Sequence, residues 1–230
     1  MAIILSIETA TKTSSIALHK DGALLASMDT HQEKSHSEYL TPSIKYLLEI
    51  SGYKSIEIDA VAVSKGPGSY TGLRIGTSTA KGICYAVNAE LIAVNTLESM
   101  AYGMIRTQHE DVLFCPMIDA RRMEVYCLVA NNNLEILEKT QAKIIDASSF
   151  AEFLEKKKVF FFGNGSAKCK SLLDHSENAI FLDEVFPSAA HIGALAWRSY
   201  QNSQFEDVAY FEPYYLKDFI AKKPSAKNLV

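Results

Sequence analysis

Two stretches of this chain spell the same order of elements, and that doubling constrains its fold more than any other feature. In the first half, apolar runs at residues 3–7, 15–19 and 24–28 read as strands, the last two joined by an Asp21-Gly22 hairpin turn. A helix opened by Ser35, with Glu38 three residues on, runs to about Ser51. A strand at 58–63, a helix from about 71 to 87, a strand at 91–94 and a helix from 96 to about 105 complete that half. The chain turns polar over 107–111 and the order begins again, with strands at 112–117, 123–130 and 134–145. A helix opened by Ser149 with Glu152 runs to Lys157, followed by a strand at 159–162, a helix at 166–174, a short strand at 180–182 and a helix at 188–202. The residues do not match between the halves; only the pattern repeats. Strands alternating with helices after a meander imply a mixed sheet with helices packed on it. The expectation is an α/β protein of two lobes, residues 1–106 and 107–230, the second ending in an extended stretch and a lysine-bearing tail.

Between the strand at 58–63 and the helix after it lies the most specific stretch, Gly66-Pro67-Gly68-Ser69-Tyr70-Thr71-Gly72-Leu73-Arg74-Ile75-Gly76. Gly66 and Gly68 admit positive φ and close backbone approach, Pro67 stiffens the turn, and Ser69 or Thr71 can cap the helix. Such a turn can cradle a phosphate, because the first N–H groups of a helix point outward with partial positive charge. The two standard nucleotide loops do not fit. The Walker pattern ends in Gly-Lys-Ser/Thr, whereas Gly72 is followed by Leu73; the dinucleotide pattern wants glycine three after Gly68, where Thr71 stands. The alternative is a turn that closes tightly so that its helix packs hard. In that helix Gly72, Gly76 and Ala80 recur every fourth residue as a smooth ridge, and Arg74, Ser78 and Lys81 line a polar face. A helical glycine costs roughly 1 kcal/mol against alanine, so Gly72, Gly76 and Gly82 call for a compensating close approach of another backbone.

The helix ending near Ser51 carries two apolar stripes. Leu40, Ile44, Leu47 and Leu48 form the stripe a lobe's core needs; Tyr39, Tyr46 and Ile50 form another, displaced by roughly a third of a turn. Pro42 inside the pattern is expected to kink it. Such a helix is either buried on two sides within its own chain or turns its second stripe to a partner protein.

Composition narrows the rest. Hydrophobic residues are 48% of the 230, ample for a core. A formal net charge of −4 leaves no footprint for strong direct nucleic-acid binding, and the lysines at 217, 222, 223 and 227 read as a solvated tail with weak phosphate contacts at most. Cys84, Cys115, Cys127 and Cys169 are widely spaced, with no C-x-x-C, and read as reduced, buried thiols of a cytosolic protein. The N-terminal apolar run is short for a signal peptide and lacks a basic flank, and no segment has the length of a membrane span. The expectation is a cytoplasmic protein without membrane attachment.

Few residues group for chemistry. His31 and His36 are five apart rather than four, which disfavours a shared metal, and His19, His109, His175 and His191 are isolated. No serine sits in a nucleophile elbow, and no Cys/His pair is close in sequence. Asp119, Arg121, Arg122 and Glu124 follow a strand and could form a salt-linked corner, worth little in stability if exposed, and Glu155-Lys156-Lys157-Lys158 reads as a solvated helix end.

Two α/β lobes side by side, each a mixed sheet with flanking helices, are the arrangement of the actin, sugar-kinase and Hsp70 (ASKHA) superfamily. There the first hairpin holds a phosphate-facing acidic residue. The matching position is Glu8, with Thr9 and Thr11 after it, and the plainer reading of Glu8 is a polar strand end. Taken together, Ile7-Glu8-Thr9-Ala10-Thr11 with Ser15-Ile16-Ala17-Leu18, and Ser35-His36-Ser37-Glu38 with Leu40 and Pro42, are similar to the TsaB (YeaZ) family. So are the whole Gly66 to Gly76 run, Asp119-Ala120-Arg121 with Glu124-Val125-Tyr126, and Pro213-Tyr214-Tyr215-Leu216. The motifs span nearly the whole chain in the family's order, and the glycine run is the specific one.

That family is the dimerization subunit of the bacterial machinery that makes N6-threonylcarbamoyladenosine at position 37 of tRNAs reading ANN codons. Its catalytic paralogue, TsaD, resembles this chain through a Gly-Pro-Gly turn, a helix, a strand, and then Asn followed by H-x-E-x-H, whose histidines bind the catalytic metal. Here Asn95 is followed by Thr96-Leu97-Glu98-Ser99-Met100. Neither threonine nor a thioether replaces imidazole for a hard metal. The resemblance therefore implies a non-catalytic scaffold with no catalytic, cofactor or metal residues. It implies pairing with a TsaD-like subunit and a TsaE-like ATPase and tRNA contact through the complex, and leaves both monomer and homodimer open for the chain alone. The family's interface lies on the first two helices of the N-terminal lobe, which implies interface residues Ser35, His36, Tyr39, Leu40, Ser43, Tyr46, Leu47, Gly72, Leu73, Gly76 and Ala80. Glu8, where the family usually has aspartate, and Lys217, where it usually has arginine, are departures. Competing readings are an independent ATP-dependent phosphotransferase or ATPase of the sugar-kinase type and, against the two lost histidines, a metallopeptidase.

Overall fold

The structure is a computed structural model, described here for residues 1–31, 36–108 and 110–217. Ser35, His109 and the lysines at 222, 223 and 227 lie outside the described residues, and with Ser35 goes the first expected capping box. The N-terminal lobe holds β1 (Ile3–Glu8), β2 (Ser14–Lys20), β3 (Ala23–Thr30), α1 (His36–Ser51), β4 (Ala60–Gly66), α2 (Tyr70–Val87) and β5 (Glu90–Asn95). After α3 (Thr96–Ile105) come β6 (Leu113–Asp119), β7 (Glu124–Ala130), β8 (Ile136–Ile144), α4 (Ala151–Leu154), β9 (Val159–Phe162), α5 (Lys170–Leu173), β10 (Ala179–Leu182) and α6 (Ala189–Gln201).

The doubled order becomes a doubled topology. One five-stranded sheet runs β3-β2-β1-β4-β5 and the other β8-β7-β6-β9-β10. In each, the first three strands pair antiparallel, and the first, fourth and fifth pair parallel. β1 is central and buried at every position, its mostly apolar run suiting a strand covered on both faces, with Ser6 and Glu8 buried among it. The two halves differ in their helices. The helix expected over 149–157 is a single turn: the Ser149 hydroxyl donates to the Asp146 carboxylate and accepts from the Asp146 N–H at 3.0 Å, so it is not free to cap. Phe150, at φ 64°, stands at the cap position instead. The helix expected over 166–174 begins as a 3₁₀ turn, Ala167–Cys169, before α5.

Each half lends a helix to the other's sheet. Leu97, Met100 and Ala101 of α3 pack with Phe114, Ile118 and Leu128 of the C-terminal sheet. Ile192 and Ala196 of α6 pack with Ile4, Ala60, Ala62, Ile92 and Val94 of the N-terminal sheet, and the Ala189 N–H at its start donates to Ser15 Oγ at 2.8 Å. All four cysteines are free and buried. Among the described residues, no helix is long and apolar enough to cross a membrane.

α2 shows why glycines were selected. Ser69 caps it, accepting from Gly72 N–H at 3.3 Å. A Cβ on Gly72 would run into the Thr9 carbonyl and one on Gly76 into Thr9 Oγ1. Thr9 Oγ1 in turn donates to the Gly72 carbonyl at 2.8 Å. The turn after β1 is seated on the ridge. Gly82 departs from the expectation: nothing lies within 4 Å of a Cβ placed there. Gly76→Ala is therefore expected to destabilise the protein by about 2 kcal/mol through overpacking, and Gly82→Ala to stabilise it by up to about 1 kcal/mol through helix propensity. Urea denaturation of both variants checks the opposite signs.

Candidate functional site: an exposed helix face and the interlobe cleft

α1 resolves its two stripes. Leu40, Ile44, Leu47 and Leu48 are buried in the N-terminal core with Ile16 and Leu18. Tyr39, Tyr46 and Ile50 are 44%, 54% and 58% exposed, so the second stripe is left uncovered by the described residues. The helix continues through Pro42.

The implied interface residues separate accordingly. Leu40, Leu47, Gly72, Leu73, Gly76 and Ala80 are buried within the lobe, a correction to their placement on a partner surface: the stripe and ridge they belong to face the sheet and the Thr9 turn. Tyr39 and Tyr46 stand on the surface, and Ser43 is half-buried beside them. His36 is tied inward, its Nε2 donating to the Thr11 carbonyl at 2.9 Å. Ser35 lies outside the described residues. Sequence reasoning passed over Tyr85, which is 87% exposed on α2. An isolated tyrosine carries no periodic signal.

Between the lobes lies a cavity of about 1200 Å³ whose walls include Lys12, Tyr70, Arg121, Arg122, Tyr126 and Tyr215. The glycine turn forms part of it, and two of its N–H groups are used within the chain: Ser69 N–H donates to the Ala10 carbonyl at 2.7 Å and Gly72 N–H to Ser69 Oγ at 3.3 Å. Glu8 is not aimed at the cleft. Its Oε1 accepts from Ala10 N–H at 2.5 Å and Ser64 Oγ at 3.0 Å, and burial pushes its pKa up to about 7. The expected salt-linked corner does not form. Arg121 and Arg122 take left-handed backbone, at φ 71° and 51°, at the tip of the β6–β7 hairpin. Asp119 pairs instead with Lys168, and Glu124 with Lys217. The lysines after α4 are also paired, Lys157 with Asp111 at 2.6 Å and Lys158 with Glu110 at 3.4 Å.

The residues aligned with the paralogue's metal motif do not fit a metal. Asn95 caps α3, accepting from Leu97 and Glu98 N–H at 2.9 and 3.2 Å, and its amide donates to Thr140 Oγ1 of the other lobe at 3.0 Å. Thr96 and Met100 are buried at 0% and 2% exposure, and the Met100 methyl packs against Gly163. Burial raises the pKa of Glu98. A threonine and a packed thioether around one carboxyl make a core, not a ligand set. Among the described residues, no three His, Cys, Asp or Glu side chains group as metal ligands. His31 lies edge-on to Phe186 at 4.8 Å, apart from the inward-tied His36.

Two lobes of matching topology, with a helix exchanged between them and a cleft at their junction, define an ASKHA-type protein. The solved structures agree. YeaZ from Pseudomonas aeruginosa superposes with a TM-score of 0.81 at 24% identity, over 94% of this chain and 100% of that one. A dehydratase activator from Clostridium difficile superposes with a TM-score of 0.52 at 11% identity, over 88% of this chain and 97% of that one; at these identities the likeness establishes the fold. The family profile described as "TsaD: tRNA N6-adenosine threonylcarbamoyltransferase" matches residues 24–225. The TsaB tRNA threonylcarbamoyladenosine biosynthesis protein of Bacillus subtilis is 31% identical over 174 residues, 74% of this chain and 75% of that protein. That of Haemophilus influenzae is 26% identical over 239 residues, 96% and 95% of the two chains. The chain belongs to the TsaB branch of this family.

Glu8 gives a pH test of the site. Its folded pKa of about 7 lies above its usual 4.5, so the stability it contributes is present below pH 4.5 and lost as pH rises through 7. Buried His19 and His191, lowered by burial, act oppositely as pH falls below about 6.5, so the difference between variant and parent isolates Glu8. Glu8→Gln is expected to gain about 3 kcal/mol relative to the parent between pH 4.5 and pH 8. Chemical denaturation across that range measures it.

Proposed function

We propose that this chain is the non-catalytic scaffold subunit that pairs with a TsaD-like catalytic subunit. With a TsaE-like ATPase, the pair forms N6-threonylcarbamoyladenosine at position 37 of tRNAs reading ANN codons. Family membership supports the place in threonylcarbamoyladenosine biosynthesis. The observation that carries the scaffold reading is α1 itself: one apolar stripe fills the core and a second, Tyr39, Tyr46 and Ile50, stands uncovered. Exposed aromatics on a rigid helix suit a partner surface, because tyrosine supplies large contact area at little rotamer cost. The non-catalytic reading is supported by Thr96 and Met100 in the core and by Glu8 folded onto its own backbone. The same orientation of Glu8 disfavours an independent phosphotransferase.

On this reading the chain works in the cytoplasm, meets tRNA through the complex, and uses the α1 face for self-pairing when alone. Tyr39→Asp with Tyr46→Asp is expected to weaken pairing with the TsaD-like subunit at least about 10-fold. Thermal stability should stay close to the parent's, since both side chains are exposed. Titration calorimetry beside a melting curve separates the effects. Normal pairing by the folded double variant would sink the assignment.

A further inference from the structure

Two motifs singled out in the sequence, Pro213-Tyr214-Tyr215-Leu216 and the Asp119 to Tyr126 hairpin, have no part in the partner face, yet the structure brings them together. After α6 the chain returns along the N-terminal lobe. Glu206 N–H donates to the Leu91 carbonyl at 2.8 Å, Val208 and Phe211 pack on the core, and Lys81 Nζ donates to the Ala209 and Phe211 carbonyls at 3.0 and 3.1 Å. It then passes over the glycine turn. Tyr214 N–H donates to the Lys65 carbonyl at 2.7 Å, and the Tyr214 carbonyl lies 2.9 Å from where a Cβ on Gly66 would be. Gly66 has φ 108°, so its backbone and its missing side chain both serve this approach. The Tyr215 ring lies 5.0 Å from that of Tyr70, and the Arg74 guanidinium is set 4.6 Å over the same Tyr70 ring. Two residues on, Lys217 crosses the cleft and pairs with Glu124 of β7, in the other lobe.

We propose that residues 212–217 are a strap that holds the two lobes at a fixed angle. An exposed ion pair alone would contribute little. Here it ends a segment already fixed to the N-terminal lobe by a backbone hydrogen bond and an aromatic pair, so closing it costs little further chain entropy. The strap adds a tie at the cleft, beside Asn95–Thr140 and the packing of α3 against α6, and walls the cavity, whose lining includes Tyr214, Tyr215 and Lys217. The lobes then present α1 as one rigid body rather than opening and closing on a hinge. This inference stands apart from the scaffold reading, because strap variants leave Tyr39 and Tyr46 untouched.

Spin labels at Ser55→Cys and Lys156→Cys, one exposed position on each lobe, report the interlobe distance; the four native thiols are buried and stay unlabelled. The full-length chain is expected to give one narrow distance distribution. Tyr215→Ala with Lys217→Ala is expected to at least double its width, and Glu124→Lys with Lys217→Glu to return it to the parent's. An unchanged narrow distribution in the folded double variant overturns the strap. Should that variant fail to fold, hydrogen exchange on the unmodified chain decides: protection of the Tyr214 amide by 100-fold or more supports the strap, and exchange at the rate of an open tail overturns it.

Discussion

The rest of the molecule depends on the seating of the Thr9–Ala10 turn against α2. The central strand, buried along its length, ends in a turn whose carbonyls and hydroxyl fit a surface with no side chains. The Thr9 carbonyl faces Gly72, its hydroxyl faces Gly76, and the Ala10 carbonyl accepts from Ser69 N–H. Each glycine gives up helix propensity of roughly 1 kcal/mol, offset by an approach that any Cβ would forbid. α2 is thereby fixed against β1, α1 packs beside α2 on β2 and β3, and the outer side of α1 is set as a consequence.

The same contact decides what the cleft is. The glycine turn and the first hairpin are hydrogen-bonded to one another, and Glu8 is folded under its own turn as a buried acid. On the far side of the turn, Gly66 admits the returning chain, so Tyr214 and Tyr215 close over it. The core made by Thr96 and Met100 continues the pattern. Thr96 and Met100 are spent on packing, and among the described residues the second stripe of α1 stays exposed.

Local rules made much of this legible. Strand order, the hairpin at Asp21-Gly22 and the core stripe of α1 follow from periodicity and turn chemistry, because their partners lie nearby in the chain. Whether Tyr39, Tyr46 and Ile50 were covered was not legible, since covering depends on which elements pack outside α1. Nor was the direction of the glycine ridge, whose partner is Thr9, 63 residues from Gly72. Asp119 and Glu124 carried the wrong expectation for the same reason: adjacent arginines suggested local pairs, while their lysines come from 49 and 93 residues away. The exchange of α3 and α6 between sheets is likewise a long-range choice that no window of sequence records.

On the proposed function, this chain enables a reaction it does not perform. The direct measurement is threonylcarbamoyl transfer to tRNA by purified components. The account predicts no turnover by this chain alone, and strong loss of turnover when it is omitted from a mixture with the TsaD-like and TsaE-like partners. Robust transfer by the isolated chain, or full transfer by the partners without it, would contradict the account.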